Sequence, residues 1–176
     1  KEVYPVGFVS DRQTGRPRPQ VAAHYLLEKF RADGITKAYL VIRDGKWDIP
    51  NYFREGGVVG LSLAYIVIAG SLGPPDTIDR AYPFLEQKRV AFGFPDILFG
   101  PDDAYRQLIA AQERTGADVV LGLHGVYDHR VWDMVDCDAD GLVRNIVMKP
   151  VTTTLTYGWC CAVWTPAFSE FLHRFL

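Results

Sequence analysis

Continuous apolar runs alternate along the chain with segments in which apolar residues recur at helical spacing. Runs without polar interruption are typical of strands covered on both faces. They predict strands at residues 38–42, 61–69, 90–99 and 117–123. Helical spacing predicts helices at residues 20–32, 77–87, 102–115 and 166–176, and a short helix at 49–53. Strands that alternate with helices predict βαβ units, and therefore an α/β fold around one mostly parallel sheet.

The pattern changes after Gly125, where strand-like segments follow one another without an intervening helix. Residues 131–137 and 142–148 are joined through Asp140-Gly141, a pair typical of hairpin turns. A further strand is predicted at residues 157–165. The sequence therefore predicts a β-hairpin appended to the main sheet.

Turn-forming residues divide the first two thirds of the chain. Residues 11–19 are rich in proline, glycine and positive charge, which predicts an exposed loop. Gly34 is expected to end the first long helix as a C-cap glycine. Asp102 and Asp103 are expected to cap the helix that follows them.

Length and composition are those of a globular domain. The 176 residues suit a single domain, and a formal net charge of −2 gives no basic surface for a nucleic acid. No apolar run is long enough for a membrane span, and a signal-peptide pattern is missing. The odd number of cysteines favours reduced thiols, and neighbouring Cys160 and Cys161 are expected on opposite faces of a strand. We expect a cytoplasmic protein.

Two side chains follow predicted strands in positions that suit phosphate chemistry. Asp96 lies near the end of the apolar run at residues 90–99, and ligands of α/β sheets collect beyond the carboxyl ends of strands. Lys149 directly precedes Pro150, which keeps it out of helical geometry at the end of a strand. Each residue has a simpler interpretation: Asp96 as a turn residue, Lys149 as a solvated lysine.

Other motifs are excluded by spacing. The glycines at residues 56–60 lack the lysine of a P-loop and precede a strand. Residues 136–141 match the start of a calcium loop, but Val147 occupies the position that needs glutamate. The histidines have no zinc-ligand spacing and no nucleophile motif beside them, so core or solvated roles are expected for His24, His124, His129 and His173.

Taken in order, the motifs resemble those of the sugar-1-phosphate nucleotidylyltransferases. Residues 1–6 are similar to the family's Pro-Lys-x-x-x-Pro-Val segment, and residues 94–99 to its Gly-Asp-x-Leu-Phe strand. Pro75-Asp76 resembles the turn at the nucleotide base. Lys149-Pro150 resembles the end of the Glu-Lys-Pro hairpin, and the segment that begins at Gly158 resembles the family's next strand and helix. The resemblance covers nearly the whole chain in collinear order.

The resemblance implies a fold and a reaction. The fold is a Rossmann-like nucleotidyltransferase (GT-A-like) three-layer α/β/α arrangement with a mixed, mostly parallel sheet. It would form one domain over residues 1–176 that we expect to be incomplete at both ends. The reaction joins a nucleoside triphosphate to a sugar-1-phosphate and releases pyrophosphate. The protein could also form a homo-oligomer, and the sequence leaves this question open.

The resemblance also implies roles for individual residues. Asp96 would be catalytic and bind Mg²⁺, and Lys1 would be catalytic and bind the triphosphate. Asp76 and Thr77 would lie at the nucleotide. Lys149 and Gly158 would bind the sugar phosphate.

The sequence departs from the family pattern at several of these places. Proline replaces glycine before Asp96, Thr77 replaces a glycine, and Met148 replaces the glutamate before Lys149. Arg80 and Asp133 stand where the family often has glutamine and glycine. The family's glycine-rich loop would precede Lys1, and its second magnesium aspartate would follow Leu176.

Two other readings therefore stay open. One is a catalytically inactive domain of the same fold that binds nucleotide or sugar phosphate as a regulatory unit. The other is a glycosyltransferase, whose usual Asp-x-Asp is missing here because Ile97 and Leu98 follow Asp96.

Overall fold

A computed structural model describes residues 2–11 and 14–176 of the chain. The first strands are β1 (Pro5–Ser10), β2 (Pro17–Val21), β3 (Lys37–Arg43), β4 (Ser62–Ile68) and β5 (Val90–Gly93). The later strands are β6 (Val119–Gly125), β7 (Asp133–Cys137), β8 (Val143–Met148) and β9 (Tyr157–Trp164). The helices are α1 (Ala22–Ala32), α2 (Asp48–Phe53), α3 (Pro74–Asp79), α4 (Tyr82–Leu85), α5 (Ala104–Thr115) and α6 (Pro166–Phe175).

The predicted α/β fold class is confirmed, but its strands pair differently from the expected single sheet. Within the described residues, β3 and β4 form a parallel two-stranded sheet, and β1 and β2 an antiparallel one. Strand β9 pairs antiparallel with β5 and β6 through the same residues, so these two strands flank it and run parallel to each other. The expectation that residues 38–42, 63–68, 90–94 and 118–123 hydrogen-bond in one sheet is wrong. An antiparallel strand separates β5 from β6, and in the described part of the chain no ladder joins β3 or β4 to them.

The strand predicted at residues 90–99 is shorter than its apolar run. Strand β5 ends at Gly93, and the carbonyl of Phe94 accepts a hydrogen bond of 3.2 Å from the N–H of Ile97. Pro95 has no N–H to continue a ladder, so the chain turns there. Ile97 and Phe99 still pack against the core, which explains why the run is apolar without being a strand.

Proline also changes two other predicted segments. The helix expected at residues 77–87 is divided into α3 and α4, and Pro83 lies in the first turn of α4. The loop expected at residues 11–19 includes the first part of β2, which pairs with β1 although it contains Pro17 and Pro19. Strand β2 pairs with β1 alone in the described residues, and a strand with a free edge tolerates proline.

The N-terminus of α5 is capped from another helix. Asp103 occupies the N-cap position, but its carboxylate accepts from the side chain of Gln107, 3.0 Å away, and not from a backbone N–H. Asp33, at the end of α1, accepts from both the backbone N–H and the guanidinium of Arg106, each at 3.0 Å. The prediction that Asp102 and Asp103 cap this helix is therefore wrong, although α5 itself is confirmed.

The core lies where α1, α2 and α5 cover the sheets. The rings of Phe30 of α1 and Tyr105 of α5 pack at a tilt of 50° with centroids 4.7 Å apart, and Tyr105 is completely buried. The same cluster includes Leu26, Phe53 and Val163. The hairpin at Asp140-Gly141 is confirmed as the connection between β7 and β8. In the part of the chain that is described, none of the helices has the length and apolar character of a membrane span.

A β-bulge brings the adjacent cysteines together. Gly122 of β6 faces Cys161 and Leu123 faces Trp159, so Cys160 is the extra residue on β9. The two sulfur atoms are 3.9 Å apart, and both thiols line the same cavity. The prediction that these side chains point to opposite faces is wrong, because the alternation of a regular strand is interrupted at Cys160.

Candidate functional site

Asp96 lies on the wall of the larger cavity, which has a volume of about 570 Å³. Because β5 and β6 run in the same direction, their carboxyl ends lie at one edge of the sheet. Asp96 follows β5 and His124 lies near the end of β6, and both line this cavity together with Trp132. A volume of this size suits a small ligand.

The loop that carries Asp96 is fixed by a buried lysine. The ammonium of Lys29 donates to the carboxylate of Asp102 at 2.7 Å and to the carbonyl of Pro101 at 3.3 Å. It also lies 5.3 Å from the centroid of the Phe99 ring. The hydrogen bond from Lys29 holds the pKa of Asp102 below its usual value. Helix α1 therefore anchors the segment that connects Asp96 to α5.

The Asp96 carboxylate is available to a cation. It is exposed, and within the described residues it makes no hydrogen bond or ion pair. Mg²⁺ prefers oxygen ligands and often takes only one or two carboxylates, with phosphate oxygens and water in the other positions. Asp96 therefore fits a magnesium ion shared with a bound phosphate, even though the described part of the chain contains no cluster of three or more His, Cys, Asp or Glu residues suited to a metal.

His124 is a site residue that the sequence did not single out. Its Nδ1 lies 3.2 Å from the carbonyl of Gly125, which can only accept, so Nδ1 carries the proton. Its Nε2 is buried and has no hydrogen-bond partner in the described structure. The ring packs edge-on against Trp132, with centroids 4.2 Å apart. The position of His124 near the end of a predicted strand could have indicated its role, but the histidines were compared only by their spacing.

Gly158 is required by close packing beside this histidine. It pairs with His124 of β6 on one side and with Met134 of β7 on the other. A Cβ atom at this position would lie 2.9 Å from a methyl group of Val126 and 3.4 Å from Nε2 of His124. The packing explains why a glycine is present, and its predicted contact with a sugar phosphate stays a prediction.

A second cavity of about 320 Å³ lies at the carboxyl ends of β3 and β4. Arg43 and Ile68, the last residues of these strands, line it together with Ser71 and Thr77. The Ser71 and Thr77 hydroxyls are 2.6 Å apart. Thr77 is therefore in a position that can meet a ligand.

Asp76, in contrast, already has partners. Its carboxylate accepts from the N–H of Leu72 and from Arg80, each at 3.0 Å. The hydrogen bond from Leu72 is the largest contribution that lowers the pKa of Asp76, and Arg80 adds to it. These contacts order the loop before α3, so Asp76 has a structural role, and its predicted contact with a nucleotide stays a prediction.

Lys149 lies at the end of β8, as the sequence predicts, in a strained conformation. Its φ is +39°, in the left-handed region that side chains other than glycine rarely adopt. The residue is exposed. Strain of this kind often occurs at functional positions.

The predicted site residues do not share one cavity. Asp96 lines the larger cavity and Thr77 the smaller, with Asp76 beside Thr77 in α3. Lys149 and Gly158 line neither of these two cavities. Lys1 lies outside the described residues.

Neither a protein-family model nor a curated protein sequence matches this chain. Solved structures do match. A protein described as a glucose-1-phosphate thymidylyltransferase from Bacillus anthracis, in complex with sucrose, matches 97% of this chain and 65% of its own, with a TM-score of 0.80 and 17% identity. A UDP-glucose pyrophosphorylase complexed with UDP-glucose matches 98% of this chain and 70% of its own, with a TM-score of 0.77 and 14% identity. A UTP-bound UGPase from Acinetobacter baumannii matches 88% and 65%, with a TM-score of 0.71 and 17% identity.

Identities this low define the fold and leave the activity open. The chain spans about two thirds of the length of these structures, 65% in the first case. The expected fold is confirmed: this chain has the fold of the sugar-1-phosphate nucleotidylyltransferases.

Proposed function

We propose that this protein transfers a nucleotidyl group from a nucleoside triphosphate to a sugar-1-phosphate, as a single nucleotidyltransferase domain. One observation carries the proposal within this fold. The Asp96 carboxylate is exposed and unpaired in the described structure, and it lines the larger cavity at the carboxyl ends of two parallel strands. An unpaired carboxylate would repel phosphates unless a cation lay between them. Its position therefore supports a site for a nucleotide and Mg²⁺ together.

The proposed reaction needs positioning more than covalent help from the protein. An oxygen of the sugar-1-phosphate attacks the α-phosphorus of the triphosphate, and the bond to the pyrophosphate oxygen breaks. No side-chain nucleophile is needed. Mg²⁺ held by Asp96 would supply neutralisation of the phosphate charge.

Other residues of the chain have proposed binding roles. Thr77 offers a hydroxyl at the smaller cavity, and Asp76 orders the loop before it, which supports a nucleotide-binding role for this pair. The exposed and strained Lys149 would meet the sugar phosphate. Gly158, which pairs with His124, is proposed to contact the sugar phosphate as well. Lys1 would meet the triphosphate. A cytoplasmic location and a homo-oligomer stay predictions.

Pyrophosphate release tests the proposal. The protein is mixed with Mg²⁺, each of several nucleoside triphosphates including UTP and dTTP, and glucose-1-phosphate or another sugar-1-phosphate. We expect release of pyrophosphate that requires both substrates, and formation of the matching nucleotide-sugar. Release without the sugar phosphate would instead indicate a triphosphate hydrolase.

The alternative is a domain of this fold that binds but does not react. It predicts binding of nucleotide or sugar phosphate with no pyrophosphate release for any pair of substrates. That result would overturn the proposed activity while retaining the proposed site.

A further inference from the structure

The bulge in β9 creates a pair of thiols that the proposed reaction does not use. Cys160 and Cys161 are free, and they are 4% and 2% exposed. Their sulfur atoms are 3.9 Å apart, and both residues line the cavity that Asp96 also lines. Two neighbouring sulfur atoms that could bind a metal ion therefore lie at the wall of a cavity that is large enough for a small molecule.

The geometry of this pair does not suit a disulfide. The peptide bond between the cysteines is trans. Neighbouring Cα atoms across a trans peptide are about 3.8 Å apart, which is below the range of about 4.4 to 6.8 Å that disulfides usually span. The sulfur atoms would also have to approach to about 2.05 Å.

The same geometry does suit two bonds to one cation. A tetrahedral ion with metal–sulfur bonds of about 2.3 Å holds two sulfurs roughly 3.8 Å apart. The observed separation is 3.9 Å, so neither thiol has to move appreciably. Thiolates favour soft or borderline cations over Mg²⁺.

We propose that Cys160 and Cys161 form a chelating dithiol that binds a thiophilic divalent cation of the zinc and cadmium class at the wall of the larger cavity. Two thiol protons are released as two metal–sulfur bonds form. Because the described residues contain no cluster of three His, Cys, Asp or Glu ligands, water from the cavity would complete the coordination. Neither thiol takes part in the proposed nucleotidyl transfer, so the dithiol site does not rest on that activity, although it lies on the wall of the same cavity.

Titration with Cd²⁺ tests the site, because cadmium thiolates absorb in the ultraviolet. We expect the reduced protein to bind one Cd²⁺ with a charge-transfer band. Cys160→Ser and Cys161→Ser should each weaken binding at least about tenfold. Cys137→Ser is the matched control, since Cys137 lies on β7 and does not line the cavity, and it should bind as the parent does. A band that survives in both single variants, or no band in the parent, would overturn the proposal.

Alkylation of the parent protein provides a test that needs no variant. Thiols are labelled during brief exposure to mild denaturant, with and without Cd²⁺, and mapped by mass spectrometry. We expect Cd²⁺ to protect Cys160 and Cys161 together and to leave Cys137 labelled. Equal labelling with and without Cd²⁺, or protection of Cys137 alone, contradicts the dithiol site.

Discussion

The ammonium of Lys29 lies 2.7 Å from the carboxylate of Asp102, although the lysine side chain is 9% exposed and the aspartate side chain 98%. The stem of Lys29 is therefore packed inside the protein while its charge reaches a carboxylate at the surface. This contact joins α1 to the loop between Asp96 and α5. It is the main polar attachment of the Asp96 loop in the described structure.

The buried stem of Lys29 should matter more to stability than its charge. We expect Lys29→Ala to lower the free energy of unfolding by about 2 kcal/mol or more, because it removes buried methylene groups. Lys29→Met retains a stem of similar volume and should cost less than about 1.5 kcal/mol. Urea denaturation of both variants measures the difference. Equal losses in the two variants would show that the charge, and not the packing, is what matters.

The same contact predicts a dependence on pH. Because Lys29 holds the pKa of Asp102 below its usual value, the contact stabilises the folded protein above the ordinary aspartate pKa of about 3.9 and is lost as the pH falls below it. The parent should therefore lose more stability than Lys29→Met between about pH 6 and about pH 3. Urea midpoints at both pH values test this.

Other carboxylates with lowered pKa values are present in both proteins, so the difference isolates Asp102. The carboxyl signal of Asp102, followed by NMR, should titrate at a higher pH in Lys29→Met. An unchanged Asp102 titration would contradict the account.

Gly122 lies so close to the bulge that the effect of substituting it should depend on the side chain of Cys161. A Cβ atom at Gly122 would lie 2.3 Å from the sulfur of Cys161. We expect Gly122→Ala to lower the free energy of unfolding by about 1 to 3 kcal/mol through overpacking. The same Gly122→Ala change should cost much less stability when it is made in the Cys161→Ala variant, in which the sulfur is absent.

Gly125→Ala is the control on the same strand. Among the described residues, no atom outside the chain neighbours of Gly125 lies within 4 Å of a Cβ built at this position. Its effect should stay within about 0.5 kcal/mol in the same denaturation experiment. The explanation fails if Gly122→Ala is equally costly with and without the Cys161 sulfur.

The sequence predicted the positions of helices and strands better than the pairing of the strands. The runs at residues 38–42 and 61–69 became β3 and β4, and Asp140-Gly141 became the hairpin turn. Periodicity identifies apolar runs, but it does not report where the backbone turns inside one. The turn that contains Asp96 was therefore predicted as part of a strand. The order of strands depends on contacts distant in sequence, such as β9 between β5 and β6.

The candidate site was predictable only in part. Asp96 and Lys149 were identified because each stands near the end of a strand. The partners that occupy Asp76, and the neighbouring sulfurs of Cys160 and Cys161, depend on a loop and a bulge that no spacing rule specifies. The buried Nε2 of His124 likewise depends on packing against Trp132.

The strain at Lys149 predicts that glycine is tolerated there while function is lost. A left-handed conformation costs a residue with a side chain about 1 to 2 kcal/mol, and substitution by glycine removes that cost. Glycine also loses about 0.5 to 1 kcal/mol more conformational entropy on folding, which offsets part of the gain in stability. We expect Lys149→Gly to equal the parent in stability or exceed it by up to about 1 kcal/mol. Binding of a sugar-1-phosphate, measured by calorimetry, should weaken.

Lys149→Ala separates the two effects. It removes the ammonium but retains Cβ, so it should lose the same binding without a gain in stability. If alanine stabilises the protein as much as glycine does, the backbone conformation is not strained. If both variants bind the sugar-1-phosphate as the parent does, Lys149 is not a ligand.

The role of Asp96 is tested most directly by nucleotide binding with and without Mg²⁺. Calorimetry with UTP and dTTP is performed on the parent, on Asp96→Asn and on Asp140→Asn, an exposed aspartate in the hairpin turn that serves as the control. We expect Mg²⁺ to strengthen binding of one of these nucleotides to the parent and to the control at least about tenfold, and to leave the Asp96→Asn variant nearly unchanged. Equal dependence on Mg²⁺ in the parent and in Asp96→Asn, with both folded, would contradict the assignment of Asp96 as the metal ligand.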